Sequence, residues 1–212
     1  MIETKIKRNA IKIAMLGDSR VGKTRICQTF MNVEFFENSL STIGLEKLET
    51  QIKLRNGEEI KLILWDTAGQ ERFHSIALNT IRTSQGVVVV FSYENKESFD
   101  NITKWLDEIK ENLNNVSIVL FGNKCDLPKE EWKVTQEEAQ KFAENKKLPF
   151  FNTSAKNNIG IKEGFEEVVN AAYQKFEKIP DKGIKLEKQI EKHQKSGCCG
   201  GENSDKGKEK NK

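Results

Sequence analysis

Short runs of apolar, mostly β-branched residues alternate along the chain with longer segments in which apolar residues recur every three or four positions. The short runs predict strands that are buried on both faces of a sheet. These predicted strands are Ile11–Leu16, Ile60–Trp65, Val87–Phe91, Val116–Phe121 and Leu148–Phe151. The periodic segments predict amphipathic helices. These predicted helices are Lys23–Phe30, Lys96–Leu113, Thr135–Asn145 and Ile161–Lys178.

A sixth strand is predicted at Gln51–Leu54, because it is followed by Asn56-Gly57, a dipeptide typical of the tight turn of a β-hairpin. This strand would pair with Ile60–Trp65 at an edge of the sheet. Strands that alternate with helices are joined by right-handed crossovers and therefore lie parallel. The pattern as a whole predicts an α/β fold in which a mixed sheet has helices on both faces.

Composition narrows the class of protein. A chain of 212 residues suffices for one well-packed domain and an appendage. Its longest strongly apolar run, Gly86–Phe91, is far shorter than the roughly 20 residues that span a bilayer. Four cysteines do not make a disulfide framework in a chain of this length, and they suit a reducing compartment, the cytosol or the nucleus.

The last 32 residues differ in composition from the rest of the chain. Pro180 ends the last predicted helix, and from Asp181 onward there is no aromatic residue and little apolar content. Such a segment cannot bury enough surface to offset its ordering entropy, so we predict an ordered domain over residues 7–178 and a disordered tail over 179–212. The net charge of +3 lies in this tail, and a neutral body argues against nucleic-acid binding.

A glycine-rich segment joins the first predicted strand to the first predicted helix. Gly17–Thr24 fits the pattern G-x-x-x-x-G-K-[ST] in the strand–loop–helix context that this motif requires. Such a loop directs backbone N–H groups at an anion, while Lys23 can reach the β- and γ-phosphates of a nucleoside triphosphate and Thr24 can ligate Mg²⁺. The candidate phosphate-binding residues are Gly17, Ser19, Arg20, Val21, Gly22, Lys23, Thr24 and Arg25.

The predicted strand Ile60–Trp65 leads directly into Asp66-Thr67-Ala68-Gly69-Gln70. An aspartate at the carboxyl end of such a strand lies in the crevice where α/β sheets bind ligands, so Asp66 is a second candidate metal residue. Gly69 leaves room for a backbone N–H to meet a γ-phosphate, and Gln70 can orient an attacking water. Gln70 and Lys23 are therefore the candidate catalytic residues.

Two motifs at later strand ends point to the base. Asn123-Lys124-Cys125-Asp126 follows the strand Val116–Phe121. The carboxylate of Asp126 can accept hydrogen bonds from N1–H and the N2 amine of guanine, which adenine cannot match, and Lys124 can lie along the base plane. After the last strand, the backbone of Ser154-Ala155-Lys156 can meet guanine O6. Guanine nucleotides are therefore the predicted ligands.

These motifs, in this order, resemble the Ras superfamily of small GTPases, and within it the Rab family. The resemblance runs from about Lys7 to Lys178. Trp65 before the aspartate, Glu71-Arg72-Phe73 after Gln70, and Glu97-Ser98-Phe99 favour Rab over Ras or Rho. The matching motifs are Gly17–Thr24, Ser41–Gly44, Trp65–Phe73, Asn123–Asp126 and Ser154–Lys156.

The resemblance implies a G domain of the P-loop NTPase fold, with a six-stranded mixed sheet and five flanking helices. It implies a switch that binds GTP or GDP with Mg²⁺, hydrolyses GTP slowly without an activating protein, and regulates vesicle traffic. Thr42 would ligate Mg²⁺ and contact the γ-phosphate, and Phe35 would pack against guanine. Residues near 36–46 and 69–82 would form two switches that bind the exchange factor, activating protein and effectors.

The sequence departs from the family at several places, of which two bear on nucleotide exchange and on lipidation. Arg20 stands where most members have a small residue, usually glycine, and it either perturbs nucleotide exchange or points to solvent. Rab proteins usually end in a lipidated cysteine pair, whereas thirteen residues follow Cys198 and Cys199. Prenylation at this internal position, palmitoylation, and an unmodified pair all stay open. The expected location is the cytoplasm, or the cytosolic face of endomembranes if the pair is lipidated.

Two other functions fit parts of the sequence. A cytosolic, non-cycling GTP-binding interaction protein would explain Arg20 and two switch segments that differ from the usual family sequence, Leu45-Glu46-Lys47 and Thr80–Ser84. Intact Gln70, Thr42 and Asp66 argue against it. A different P-loop enzyme, such as a nucleotide kinase, would share the phosphate loop. The motif Asn123–Asp126 argues against that reading.

Overall fold

The computed structural model describes residues 10–33, 45–67, 82–113 and 115–177. The strands are β1 (Ala10–Leu16), β2 (Leu45–Lys53), β3 (Glu59–Thr67), β4 (Gly86–Ser92), β5 (Ser117–Asn123) and β6 (Phe150–Asn152). The α-helices within these ranges are α1 (Lys23–Phe30), α2 (Lys96–Asp100), α3 (Ile102–Asn112), α4 (Gln136–Lys146) and α5 (Ile161–Glu177). None of these described helices is long and apolar enough to cross a membrane.

The six strands form one mixed sheet in the order β2-β3-β1-β4-β5-β6. Only β2 and β3 pair antiparallel; the pairs β3–β1, β1–β4, β4–β5 and β5–β6 are all parallel. The predicted α/β architecture is confirmed. Because parallel strands end at the same edge, the segments that leave β1, β3, β5 and β6 emerge on one side of the sheet.

The core lies on both faces of the sheet. Ile13 and Met15 belong to the cluster that includes residues of α1 and α5, whereas Ala14 and Leu16 belong to the cluster that includes residues of α3 and α4. All seven residues of β4 are buried. This double coverage explains why the central strands read as continuous apolar runs in the sequence.

Several strand bounds differ from the prediction. The edge strand β2 covers Leu45–Lys53, not only Gln51–Leu54. Its residues Glu46, Lys47 and Glu49 are exposed, so most of this strand carries no apolar signal, and it is held by its register with β3. β5 continues to Asn123, and β6 starts two residues later than predicted, at Phe150.

The predicted hairpin is confirmed. Gly57, at φ 86°, donates its N–H to the carbonyl oxygen of Leu54 at 2.9 Å. The hairpin docks on α5, because Asn170 accepts a hydrogen bond from the Arg55 N–H at 2.9 Å and Tyr173 donates its hydroxyl to Glu58 at 2.8 Å. The tip of the hairpin is therefore fixed to the last helix.

The single helix predicted over Lys96–Leu113 is wrong, because the structure has two. α2 begins after Asn95, whose side chain accepts the N–H of Ser98 at 3.1 Å, and it ends at Asn101. Asn101 has ψ −9°, a turn value and not the roughly −42° of a regular helix. Its side chain bonds outside the helix. The helix predicted over Ile161–Lys178 is observed as α5.

The predicted tail over 179–212, with Cys198 and Cys199, lies outside the described residues. The domain boundary at 178 therefore stays a prediction.

Candidate functional site

The phosphate loop leaves β1 at Gly17 and enters α1 at Lys23. Gly17 has φ 138° and Gly22 has φ 100°, conformations that favour glycine. A Cβ atom on Gly17 would lie 2.1 Å from the carbonyl oxygen of Val90, so the loop also needs glycine for space. The N-terminus of α1 carries no side-chain cap. Backbone N–H groups at the start of a helix are a common binding site for an anion.

Arg20 also adopts a left-handed conformation, with φ 65°. A side chain at such a position costs about 1–2 kcal/mol relative to glycine. The residue is exposed, which agrees with a side chain that points to solvent. Val21 is buried beside it, and Arg25 donates to the Gln28 side chain at 2.9 Å.

Lys23 is a buried cation, only 5% exposed. Its Nζ donates to the carbonyl oxygens of Gly17 at 2.9 Å and Asp18 at 2.8 Å. Desolvation lowers the pKa of Lys23 to about 8, although the negative charges of Asp66 and Asp18 oppose the shift. A phosphate at this loop would supply the counter-charge that the buried ammonium group needs.

The two predicted metal residues that lie in the described ranges meet each other. Thr24 Oγ1 donates to Asp66 Oδ2 at 2.5 Å, and Asp66 is fully buried. Hydroxyl and carboxylate oxygens are ligands that Mg²⁺ accepts. No group of three or more His, Cys, Asp or Glu side chains within the described ranges could hold a metal. Mg²⁺ commonly takes one or two protein ligands together with phosphates and water, so this pair fits it.

The predicted base-binding segments also come together. Asn123 at the end of β5 donates Nδ2 to the carbonyl oxygen of Val21 at 2.8 Å, which ties this segment to the phosphate loop. Ser154 after β6 donates its hydroxyl to Asp126 at 2.5 Å. Lys124, with φ 65°, pairs with Glu94. The polar groups from β5 and β6 therefore form one cluster next to the loop.

The segment Ser154–Lys156 is held by backbone contacts. Thr29 of α1 donates its hydroxyl to the carbonyl oxygen of Ala155 at 2.9 Å. Ser154 and Ile159 form an isolated bridge, and Gly160 closes the turn at φ 66°. Lys156 is exposed. The two motifs predicted for guanine are thus fixed to α1 and to each other.

Some predicted site residues lie outside the described residues. These are Phe35, Thr42, Gly69 and Gln70, and their assigned roles stay predictions. Sequence reasoning also missed one contact that the structure contains. The Asp18 side chain, in a variable position of the motif, bonds to Asn101 and Trp105 of a distant helix. No spacing in the sequence indicates this contact.

Comparison with known proteins agrees with this geometry. The model of the Ras family matches residues 12–174. The chain is 40% identical over 178 residues to the Ras-related protein Rab-5B of Plasmodium falciparum (isolate 3D7), covering 82% of this chain and 84% of the relative. It is 37% identical over 193 residues to RABD2c of Arabidopsis thaliana, covering 89% and 95%.

A third relative is the Ras-related protein Rab-10 of Caenorhabditis elegans, 39% identical over 171 residues, or 80% of this chain and 83% of the relative. The family model spans both the phosphate loop and the base-binding segments, and the relatives do not favour the non-cycling alternative. With a family model that covers most of the chain and relatives that share most of their length with it, the chain belongs to the Ras family and is a Rab-type small GTPase.

Proposed function

We propose that this GTPase is a Mg²⁺-dependent switch of membrane traffic that alternates between GTP- and GDP-bound forms. One observation carries the proposal. The phosphate loop, Asp66, and the polar groups that follow β5 and β6 lie at the same edge of the sheet and are bonded across it. This arrangement can hold a phosphate chain, a metal and a purine base together.

The phosphate end is assigned to the loop Gly17–Thr24 and its neighbour Arg25. Backbone N–H groups of the loop and the Lys23 ammonium group would bind the β- and γ-phosphates. Thr24, Asp66 and, in the triphosphate form, Thr42 would hold Mg²⁺. When bound, Mg²⁺ neutralises charge on the phosphate oxygens.

The base end is assigned to Asn123, Lys124 and Asp126, with the backbone of Ser154–Lys156. Asp126 already accepts a hydrogen bond from Ser154, which fixes the orientation of its carboxylate. An oriented acceptor can take both guanine donors, and adenine would leave it unpaired. Phe35 is assigned to the face of the base.

The hydrolytic step is assigned to Gln70 and Lys23. Gln70 would orient the attacking water, while Lys23 and the loop N–H groups stabilise the charge on the phosphoryl oxygens. Arg20 is exposed in the loop, so we assign no arginine finger in cis. We expect slow turnover by the protein alone and acceleration by an activating protein.

The switch segments near 36–46 and 69–82 are assigned to the exchange factor, the activating protein and effectors. Cys198 and Cys199 are the candidate lipid attachment sites, and two lipids would give stable binding to the cytosolic face of endomembranes. Intact mass of the protein from its native cells tests this part. Two isoprenoids on the pair support membrane attachment, whereas an unmodified pair leaves a cytoplasmic GTPase.

Nucleotide binding is tested with Asp126→Asn. The wild-type protein should bind GDP and GTP in Mg²⁺, ATP should not compete, and chelation of the metal should speed release. The variant should lose affinity for GDP and gain affinity for xanthosine diphosphate, because the amide donates to the oxygen that replaces the guanine amine. Asp107→Asn, which changes an exposed side chain of α3, is the matched control. It should change the affinity for neither GDP nor xanthosine diphosphate. Equal competition by ATP would refute guanine selection.

Hydrolysis is tested in a single turnover of bound GTP. Gln70→Leu should slow the step strongly, because leucine cannot orient water. Nucleotide affinity is the control, and it should stay the same within a few fold. Equal rates for the two proteins would favour the non-cycling alternative.

A further inference from the structure

The side chain of Asp18 accepts hydrogen bonds from two residues at the start of helix α3. Its Oδ2 accepts a hydrogen bond from Asn101 Nδ2 at 2.7 Å, and its Oδ1 accepts one from Trp105 Nε1 at 2.9 Å. All three residues are half-buried. Each carboxylate oxygen therefore has its own donor, which fixes both the position and the orientation of the group.

The main chain of the same residue holds Lys23. The carbonyl oxygen of Asp18 accepts from Lys23 Nζ at 2.8 Å. Asp18 is thus joined to α3 through its side chain and to the phosphate-binding lysine through its backbone. Movement of one contact must disturb the other, because both belong to a single residue of a tight loop.

The two donors sit on a rigid support. Asn101 and Trp105 are four residues apart and so lie on one face of the helix. The adjacent face of α3 is anchored in the core by Ile102, Leu106 and Ile109. Asn101 also marks the break between α2 and α3, where its side chain is directed at the loop.

We propose that Asp18, held by Asn101 and Trp105, is a positioning residue that fixes Lys23 and the phosphate loop, so that α3 controls how long a nucleotide stays bound. This inference rests on the proposed function, because it needs a nucleotide at the loop. It assigns a role to a variable position of the motif and to a tryptophan that lies outside the nucleotide-binding motifs.

The test measures GDP release from the full chain in Mg²⁺ with Asp18→Ala, Asp18→Asn and Trp105→Phe. Loss of a hydrogen bond to a charged group weakens an interaction by about ten- to a hundredfold in equilibrium terms. We expect Asp18→Ala and Trp105→Phe each to speed release by about that factor. Asp18→Asn keeps one acceptor for the indole and should restore part of the slow release. Asp107→Ala, an exposed position on the same helix, is the matched control.

A second measurement separates positioning from folding. Unfolding of the nucleotide-free protein should change little in Trp105→Phe, because phenylalanine preserves the packing, while GDP release accelerates. In the double variant of Asp18→Ala with Trp105→Phe, release should be no faster than in Asp18→Ala alone, because the hydrogen bond that the second change removes is already gone.

Each outcome bears on a different claim. If the wild-type protein does not bind GDP, the proposed function fails. If it binds GDP but release is the same in all variants, the positioning role is refuted and the proposed function stands. The positioning role is equally refuted if faster release is matched by the same loss of stability without nucleotide.

Discussion

The buried ammonium group of Lys23 makes the stability of the nucleotide-free protein depend on pH in an unusual direction. Desolvation lowers the pKa of Lys23 from 10.5 to about 8 in the folded protein. The unfolded chain keeps its proton up to the ordinary value. Between these two pH values the unfolded state therefore binds more protons than the native state, so stability rises as pH rises.

The magnitude follows from the two pKa values. Going from pH 7 to pH 9, the native lysine loses most of its proton while the unfolded lysine stays charged. With a native pKa of about 8 and an unfolded pKa of 10.5, the contribution of this group to the free energy of unfolding increases by about 1.3 kcal/mol over that interval. Below pH 8 the buried charge of Lys23 destabilises the native state in full. Above pH 10.5 it no longer does so, because lysine is then neutral in both states.

The assay is urea unfolding of protein stripped of nucleotide, at pH 7 and pH 9, with Lys23→Met as the reference. Methionine has no titrating group, so the variant reports the pH dependence of all other residues. The wild-type protein should gain about 1.3 kcal/mol relative to the variant. A difference that is flat, or that falls with pH, would show that the Lys23 ammonium group is not held in a desolvated site.

Substitutions at three further positions test local features of the fold, each by urea unfolding. Gly22→Ala places a Cβ atom 2.3 Å from Asn123 Nδ2. Asn123 must then break its hydrogen bond to the Val21 carbonyl oxygen, so we expect the free energy of unfolding to fall by about 2 kcal/mol or more. An unchanged urea midpoint would contradict this clash. Arg20→Gly should raise the free energy of unfolding by about 0.5–1 kcal/mol, because relief of the left-handed strain exceeds the entropy that glycine adds to the unfolded chain. Arg20→Ala should give no such increase. Asn170→Ala removes the acceptor of the Arg55 N–H, so we expect the free energy of unfolding to fall by about 1–3 kcal/mol. An unchanged free energy would mean that the hairpin does not need this contact.

The central part of the fold could be predicted from the sequence, and its margins could not. β1 and β4 are covered on both faces, so β4 is apolar from Gly86 to Phe91 and β1 is apolar except for Lys12. β2 has one exposed face with charged residues, and only its pairing with β3 defines it. The break at Asn101 escaped prediction because it accompanies a bond to a residue 83 positions away.

The functional site likewise has features that the sequence predicts and features that it does not. The loop and the base-binding segments are contiguous motifs, so their residues could be named from spacing alone. The contacts that arrange them are not local: Thr24 meets Asp66 across 42 residues, and Asn123 meets the loop across 102. The pKa of Lys23 depends on burial, which no motif encodes. The sequence therefore predicts which residues form the site, whereas packing determines the contacts between them and the pKa of Lys23.

The polar groups assigned to the nucleotide are bonded to one another in this structure. These contacts join Lys23 to the loop carbonyls, Thr24 to Asp66, Asn123 to Val21, and Ser154 to Asp126. A nucleotide must then exchange existing bonds, so most contacts add little net free energy. Lys23 is different, because its buried ammonium group would exchange the carbonyl dipoles of Gly17 and Asp18 for phosphate charge, which offsets more of its desolvation cost. The phosphates, more than the base, should therefore account for the stability that nucleotide gives this protein.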